Sequence, residues 1–329
     1  MYINMKILFV CSGNSNKFKI APFIQSQGDS LVKNGINLSF FTIQNKGIFG
    51  YIKAAKQLRT YLKENKVDVI HAHYTLSGWT AVLSLTKIPI VLSLMGSDTY
   101  GDYIGHNKIT FKSRFSILLT YLIQPFVKRI ICKSEHIQSF VFNKNKSEVI
   151  PNGVLFENIP LSRDGFREEL NLSKDKQHIL FMGDKKDLRK NYRLIQDAIK
   201  YITIPNVEVI TPYPVDYQTA LKYMQSVDVL VVPSFMEGSP NVVKEAMACN
   251  CPVVATNVGD VAWLFGDQSG YFLTDFNPET CARQIDKALA FSKEKGKTKG
   301  RKRLIDLGLE SSVVAKKIIN LYKEVIQNK

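Results

Sequence analysis

The chain has 329 residues, of which 45% are hydrophobic, and a formal net charge of +15. That length and apolar content suit two domains with sizeable cores and exclude a disordered chain. No apolar run approaches the roughly 20 residues of a membrane span, and the start, "MYINMKILFV", reads as a first strand rather than a signal peptide.

Short β-branched and apolar runs at 6–11, 38–43, 68–71, 90–94, 129–132 and 148–150 predict strands. A helix over 51–66 separates two of them, with Ile52, Ala55, Leu58 and Leu62 inward and lysines outward. After "VIPNGVLFENIPLSRDG" the pattern restarts, with strands at 179–182, 207–211, 227–233, 252–256 and 270–273. Two successive βα arrays predict an α/β fold of two Rossmann-like, doubly wound domains facing a cleft. The expected division is 1–155, 156–310 and a C-terminal helix in 311–329 that packs back toward the first domain. That helix is amphipathic through Val314, Ile318, Leu321, Tyr322 and Val325. The five cysteines include no CxxC pair and read as reduced core residues of a cytoplasmic protein.

Charge is uneven. Residues 1–150 carry 19 Lys and Arg against 7 Asp and Glu, whereas the remainder carries 25 against 22. A basic first domain suits an anionic membrane surface or a phosphorylated substrate. Nucleic acid is the competing partner, but no binding motif or interleaved aromatic residues accompany the basic ones. The tract "KEKGKTKGRKR" (293–303) reads as a solvated connection between helices. The segment "ITFKSRFSILLTYLIQPFVKRI" allows a membrane-facing element or a helix buried against the sheet, and the buried helix is the favoured reading.

The segment "SFMEGSPNVVKEAMACNCPVVAT" (234–256) carries the chemistry. Glu237 lies in the loop after an apolar strand, where open α/β sheets bind ligands. Ser239 is a plausible N-cap and Pro240 a first helical residue, so Glu245 falls on the helix that follows. Val242, Ala246 and Cys249 would form its packing face, and Gly259 and Asp260 follow the next strand on the same rim. Helix N-terminal amides at Asn241 and Val242 could meet a diphosphate.

"PSFMEGSPNVVKEAMACNCPVVATNVGD" resembles the donor-site signature of family 4 glycosyltransferases, enzymes of the GT-B fold that includes bacterial surface-polysaccharide glycosyltransferases. "DVIHAHYTLSGWTA", "IPIVLSLMGSD", "VIPNGV" and "ILFMGDKKDLRKNYRL" extend the likeness in the right order. The resemblance implies that Glu245 holds the ribose hydroxyls of a nucleotide-sugar and Glu237 the hydroxyls of the transferred sugar. Arg189 and Lys190 would stabilise the departing nucleotide, with Gly183, Gly238 and Ser239 completing the donor site. Gly13 could let backbone approach the diphosphate from the first domain. Asp98 would orient an acceptor or cap a helix, and one of His71 and His73 would face the cleft. Met95, Asp184 and Trp263 depart from the family pattern.

No D-x-D triplet is present, so no metal and no other cofactor is expected. The implied activity is retaining transfer from a nucleotide-sugar, UDP-linked by expectation, to a glycan acceptor. A lipid-linked acceptor on the inner face of the cell membrane, in surface polysaccharide assembly, is the expected setting. A nucleotide-sugar epimerase on the same fold is the nearest alternative.

Overall fold

The computed structural model describes residues 5–14, 18–44, 47–160 and 165–327. Two compact units divide the chain: Met1–Gly101, Thr110–Gly153 and Ser311–Lys329 form the first, Asp102–Ile109 and Val154–Glu310 the second.

The first unit opens with β1 (Lys6–Ser12), α1 (Pro22–Lys33), β2 (Asn37–Ile43) and α2 (Gly47–Glu64). It continues through β3 (Val69–His73), α3 (Thr75–Leu83), β4 (Ile90–Leu94) and the single turn α4 (Ser97–Tyr100). A small antiparallel hairpin, β5 (Tyr103–Gly105) and β6 (Lys108–Ile109), is grouped with the second unit. The first unit resumes with α5 (Phe111–Ile123), β7 (Arg129–Cys132), α6 (Glu135–Gln138) and β8 (Ser147–Val149). Its six strands are parallel in the order β2-β1-β3-β4-β7-β8. Every residue of β3 and β4 is buried, as helices on both faces require of central strands.

The second unit runs through α7 (Phe166–Glu169), β9 (Gln177–Leu180), α8 (Tyr192–Ala198), β10 (Val207–Ile210), α9 (Tyr217–Ser226) and β11 (Val229–Val232). Then come α10 (Asn241–Ala248), β12 (Val253–Thr256), α11 (Val261–Phe265), β13 (Tyr271–Thr274), α12 (Pro278–Lys295) and α13 (Gly300–Asp306). Its five strands are parallel in the order β10-β9-β11-β12-β13. Ile179, Val229, Val231 and Val254 from the sheet pack with Leu194 and Ile195 of α8 and Ile285 and Leu289 of α12. The chain ends in the first unit with α14 (Ser311–Gln327), whose Val314, Ile318, Leu321, Tyr322 and Val325 are all buried.

Several expectations need correction. The helix expected at 51–66 begins four residues earlier, and Ile52 faces solvent while Ala54, Ala55 and Leu58 pack inward. The strand expected at 179–182 lies at Gln177–Leu180, because Met182 and Gly183 already belong to a loop. The 102–109 hairpin breaks the expected single boundary near residue 155. The 293–303 tract is not simply solvated: Lys297 donates to the carbonyls of Gln225 and Val227, Arg301 to Phe156, and Arg303 to Trp263 and Leu264. All five cysteines are buried, and none of them forms a disulfide.

Candidate active site

The loop between β11 and α10 carries Glu237 into a buried cluster. Its Oε1 accepts from Lys190 Nζ at 2.7 Å, Arg189 Nη1 at 2.8 Å and Ser234 Oγ at 2.9 Å. Burial works against the carboxylate's charge, but the two cations and the hydrogen bonds outweigh it and hold the pKa below the ordinary value. All three contacts converge on Oε1, so Oε2 keeps its lone pairs for another donor. Arg189 and Lys190 sit on a tight turn capped by Asp187, whose carboxylate accepts from the Arg189 amide and ion-pairs with its guanidinium. Asn191, in the left-handed conformation, ties that turn to the β11 end by donating to the Pro233 carbonyl at 3.0 Å. The β5–β6 hairpin packs against the same turn, and His106 lies 4.6 Å from the Phe276 ring.

Glu245 occupies the second position. It is half-buried on α10, and its carboxylate makes no hydrogen bond or ion pair among the described residues. Burial raises its pKa to about 7, against opposition from Lys244 and Lys190. Burial raises the phenol of Tyr217 at the start of α9, and the charge of Glu245 adds to that; this neighbour carries no signal in the sequence.

Between the two glutamates the helix start differs from the expected one. Pro240 is the N-cap and Asn241 the first helical residue, with no side-chain cap. Ser239 is instead drawn to the side: its Oγ donates to Asp260 Oδ2 at 2.6 Å and accepts from Lys244 Nζ at 3.0 Å. Lys244 is only 1% exposed and Asp260 8%. Burial lowers the lysine pKa and raises the aspartate's, and each charge partly offsets the other's penalty. Gly259, at φ 61°, completes the brace: a Cβ there would sit 2.6 Å from the Glu237 carbonyl oxygen. Only glycine lets this turn press so closely on the Glu237–Gly238 backbone. Val243, Ala246 and Met247 form the buried face of α10, whereas Val242, expected inward, is half-buried.

The arrangement offers two carboxylates, two cations and an uncapped helix N-terminus whose first amides lie outside the helical ladder. Such a site can bind an anionic diphosphate with hydroxyl-bearing groups on either side. Two family models match adjoining stretches, Glycosyltransferase Family 4 over residues 10–157 and Glycosyl transferases group 1 over 155–290. The chain belongs to glycosyltransferase family 4.

Among curated relatives of this glycosyltransferase is a Bacillus subtilis (strain 168) protein, TuaC, whose name assigns it to teichuronic acid biosynthesis. It is 27% identical over 240 residues, 66% of this chain and 60% of that protein. Another is an Escherichia coli UDP-Gal:alpha-D-GlcNAc-diphosphoundecaprenol alpha-1,3-galactosyltransferase, 22% identical over 276 residues, covering 71% of this chain and 69% of that protein. The GT-B fold is shared with sucrose-phosphate synthase from Thermosynechococcus elongatus, at 16% identity and a TM-score of 0.82 over 99% of this chain and 100% of that one. Anabaena HepE in complex with UDP and glucose is similar as well, at 15% identity and a TM-score of 0.75 over 98% and 100%.

The remaining predicted residues of the glycosyltransferase are placed as follows. Gly183 is buried beside Phe181 and Lys190. Asp184 caps its own turn by accepting from the Lys186 amide, and Lys185 donates to Thr211. In the first unit the Gly13 amide donates to the Ile43 carbonyl, and a Cβ there would meet Gln44 at 2.9 Å, so this glycine serves the β1–β2 edge. Asp98 is buried and accepts from the amides of Met95, Gly96 and Thr75, which is the capping role. His71 and His73 are both buried and stacked 4.3 Å apart, so neither faces solvent. Asp260 lies beside the Glu237 loop as its place after β12 suggests, whereas Lys244 is the main structural member that the sequence does not signal, because it stands there as an ordinary charged helix residue.

Proposed function

We propose that this enzyme transfers a hexosyl group from a UDP-sugar, with retention, to a lipid-linked glycan acceptor in surface polysaccharide assembly. The observation that carries the donor half is the pair of glutamates on either side of the uncapped α10 N-terminus, with Lys190 and Arg189 beside one of them. Glu245 accepts from the ribose hydroxyls, and Glu237 through Oε2 from hydroxyls of the sugar. The diphosphate lies against the first amides of α10 and draws Arg189 and Lys190 partly from Glu237. The bond from the anomeric carbon to the phosphate oxygen breaks and one to the acceptor hydroxyl oxygen forms on the same face. The acceptor proton passes to the departing phosphate oxygen, and the two cations stabilise the charge that develops there.

Support for UDP comes from the structurally similar HepE, solved in complex with UDP and glucose, and from the name of the Escherichia coli relative, which also specifies a polyprenol-linked acceptor. No helix among the described residues is long and apolar enough to cross a membrane. An enzyme acting on such an acceptor would therefore work as a peripheral protein at the anionic cytoplasmic leaflet. The proposed chemistry uses no metal: Arg189 and Lys190 supply the positive charge for the proposed phosphate position. The test is UDP-sugar hydrolysis, then transfer to a polyprenol-diphosphate sugar, with and without chelator. Turnover that survives chelation supports the reading, and loss of turnover with rescue by manganese contradicts it.

A further inference from the structure

Helix α5 is turned the opposite way from an ordinary core helix. The residues it buries include Ser113 and Thr120, both hydroxyl-bearing, with Ile123. Thr120 Oγ1 lies 2.7 Å from Thr75 Oγ1 and reaches the Asp98 carbonyl, while Trp79 donates to the Leu119 carbonyl at 3.0 Å. The large apolar residues point away: Phe111 is 84% exposed, Phe115 55%, Leu118 51% and Leu122 51%. Their spacing of four, three and four residues puts them on one continuous stripe. At 100° per residue, Lys112 and Arg114 fall on either side of that stripe. Phe126, also exposed, follows the helix with its ring 5.8 Å from Trp79. No Asp or Glu occurs between Tyr103 and Ser134.

We infer that the outward stripe of α5 is the membrane-docking face, inserting Phe111, Phe115, Leu118 and Leu122 into the interface of an anionic lipid bilayer. This deepens the lipid-linked acceptor reading and rests on it. Hydrogen bonding on the inner side fixes the helix orientation, so the apolar stripe is not a core face awaiting repacking. A helix of 13 residues is roughly 20 Å long, too short to span a bilayer, and it lies in the plane of the interface. Its stripe enters about 5–10 Å, to the boundary of headgroups and acyl chains. Bulky aromatic residues flanked by cations, with no acid in that stretch of the chain, match a negatively charged lipid surface. Arg129, at the basic end of the same segment, is ion-paired with Glu148 and Glu324 and is not part of this face.

The experiment is sedimentation of the full chain with vesicles of phosphatidylglycerol and phosphatidylcholine, at low and high salt. Unfolding, oligomeric state and UDP-sugar hydrolysis in solution are measured alongside. The parent binds, and a salt-resistant part of that binding falls by about tenfold or more in the Phe111→Ser/Phe115→Ser double variant. Lys112→Gln/Arg114→Gln removes mainly the low-salt part. Both variants keep their unfolding midpoint and their hydrolysis, since the altered side chains are exposed and outside the donor site. The inference is overturned if the double variant binds vesicles like the parent, or if the parent fails to bind. It is also overturned if the parent is a dimer that the double substitution splits, which assigns the stripe to a second copy. Vesicle binding without any UDP-sugar turnover would instead count against the donor reading and leave the docking face standing.

Discussion

A glutamate poised to titrate near neutrality sits where a nucleotide ribose is expected. Glu245, raised to about 7 by burial, is close to half-protonated at that pH. Accepting from two hydroxyls favours the ionised form, so binding pulls its pKa down and releases protons. UDP affinity should therefore weaken as pH falls below about 7. UDP binding near that pH should release a fraction of a proton, measurable by calorimetry in buffers of different ionisation enthalpy. Glu245→Gln should abolish this release and flatten the inflection, leaving only the titration of the phosphate. Lys244 and Asp260 make a second prediction at this scale. Lys244→Met leaves Asp260 buried without its counter-charge and should cost about 1–3 kcal/mol of stability. Adding Asp260→Asn should recover part of that loss, and denaturant unfolding of the two single variants and the double variant measures the coupling.

The strands were legible because parallel-sheet strands covered on both faces are continuous apolar runs, and β4 and β7 fall at the expected residues. Glu237 and Glu245 were legible as acids whose local context is a strand end and a helix. Lys244 was not, because its counter-charge Asp260 meets it, through Ser239, only when α10 packs against the turn after β12. The orientation of α5 escaped for a related reason. A 3.6-residue period separates two faces of a helix, and the expectation that the apolar one turns inward fails where hydroxyls find buried partners. Helix α14 yields a prediction of its own. Tyr322 hydrogen-bonds to His71 Nδ1 inside the first unit, and Ser93 engages the other ring nitrogen. Tyr322→Phe orphans a buried polar atom and should cost about 1–3 kcal/mol, read as a lower unfolding midpoint. Burial, helped by the Lys133 charge, holds His71 and His73 well below the ordinary 6.5, so the unfolded chain binds protons that the folded one does not. These two residues' contribution to stability is present above that value and is lost as pH falls below it.

At the scale of the molecule, the family assignment and the charge distribution point the same way. The first 150 residues carry most of the excess charge, and Lys53, Lys56 and Lys63 of α2 are exposed with Lys112 and Arg114 of α5. The second unit, nearly neutral, pairs several of its cations with acids or directs them to carbonyls, and Glu237 holds Arg189 and Lys190. In the proposed reading a donor diphosphate competes for those two cations. That competition gives the two glutamates opposite signatures. Titrating UDP into the parent, Glu245→Ala and Glu237→Ala by calorimetry tests the donor clamp most directly. Glu245→Ala should bind UDP about tenfold or more weakly, having lost charge-assisted hydrogen bonds worth roughly 1.5–3 kcal/mol each at most. Glu237→Ala should bind UDP as well as the parent or better, while losing sugar transfer. Parent-like UDP binding by Glu245→Ala, or transfer undiminished in Glu237→Ala, would contradict the assignment of these carboxylates to the two ends of the donor.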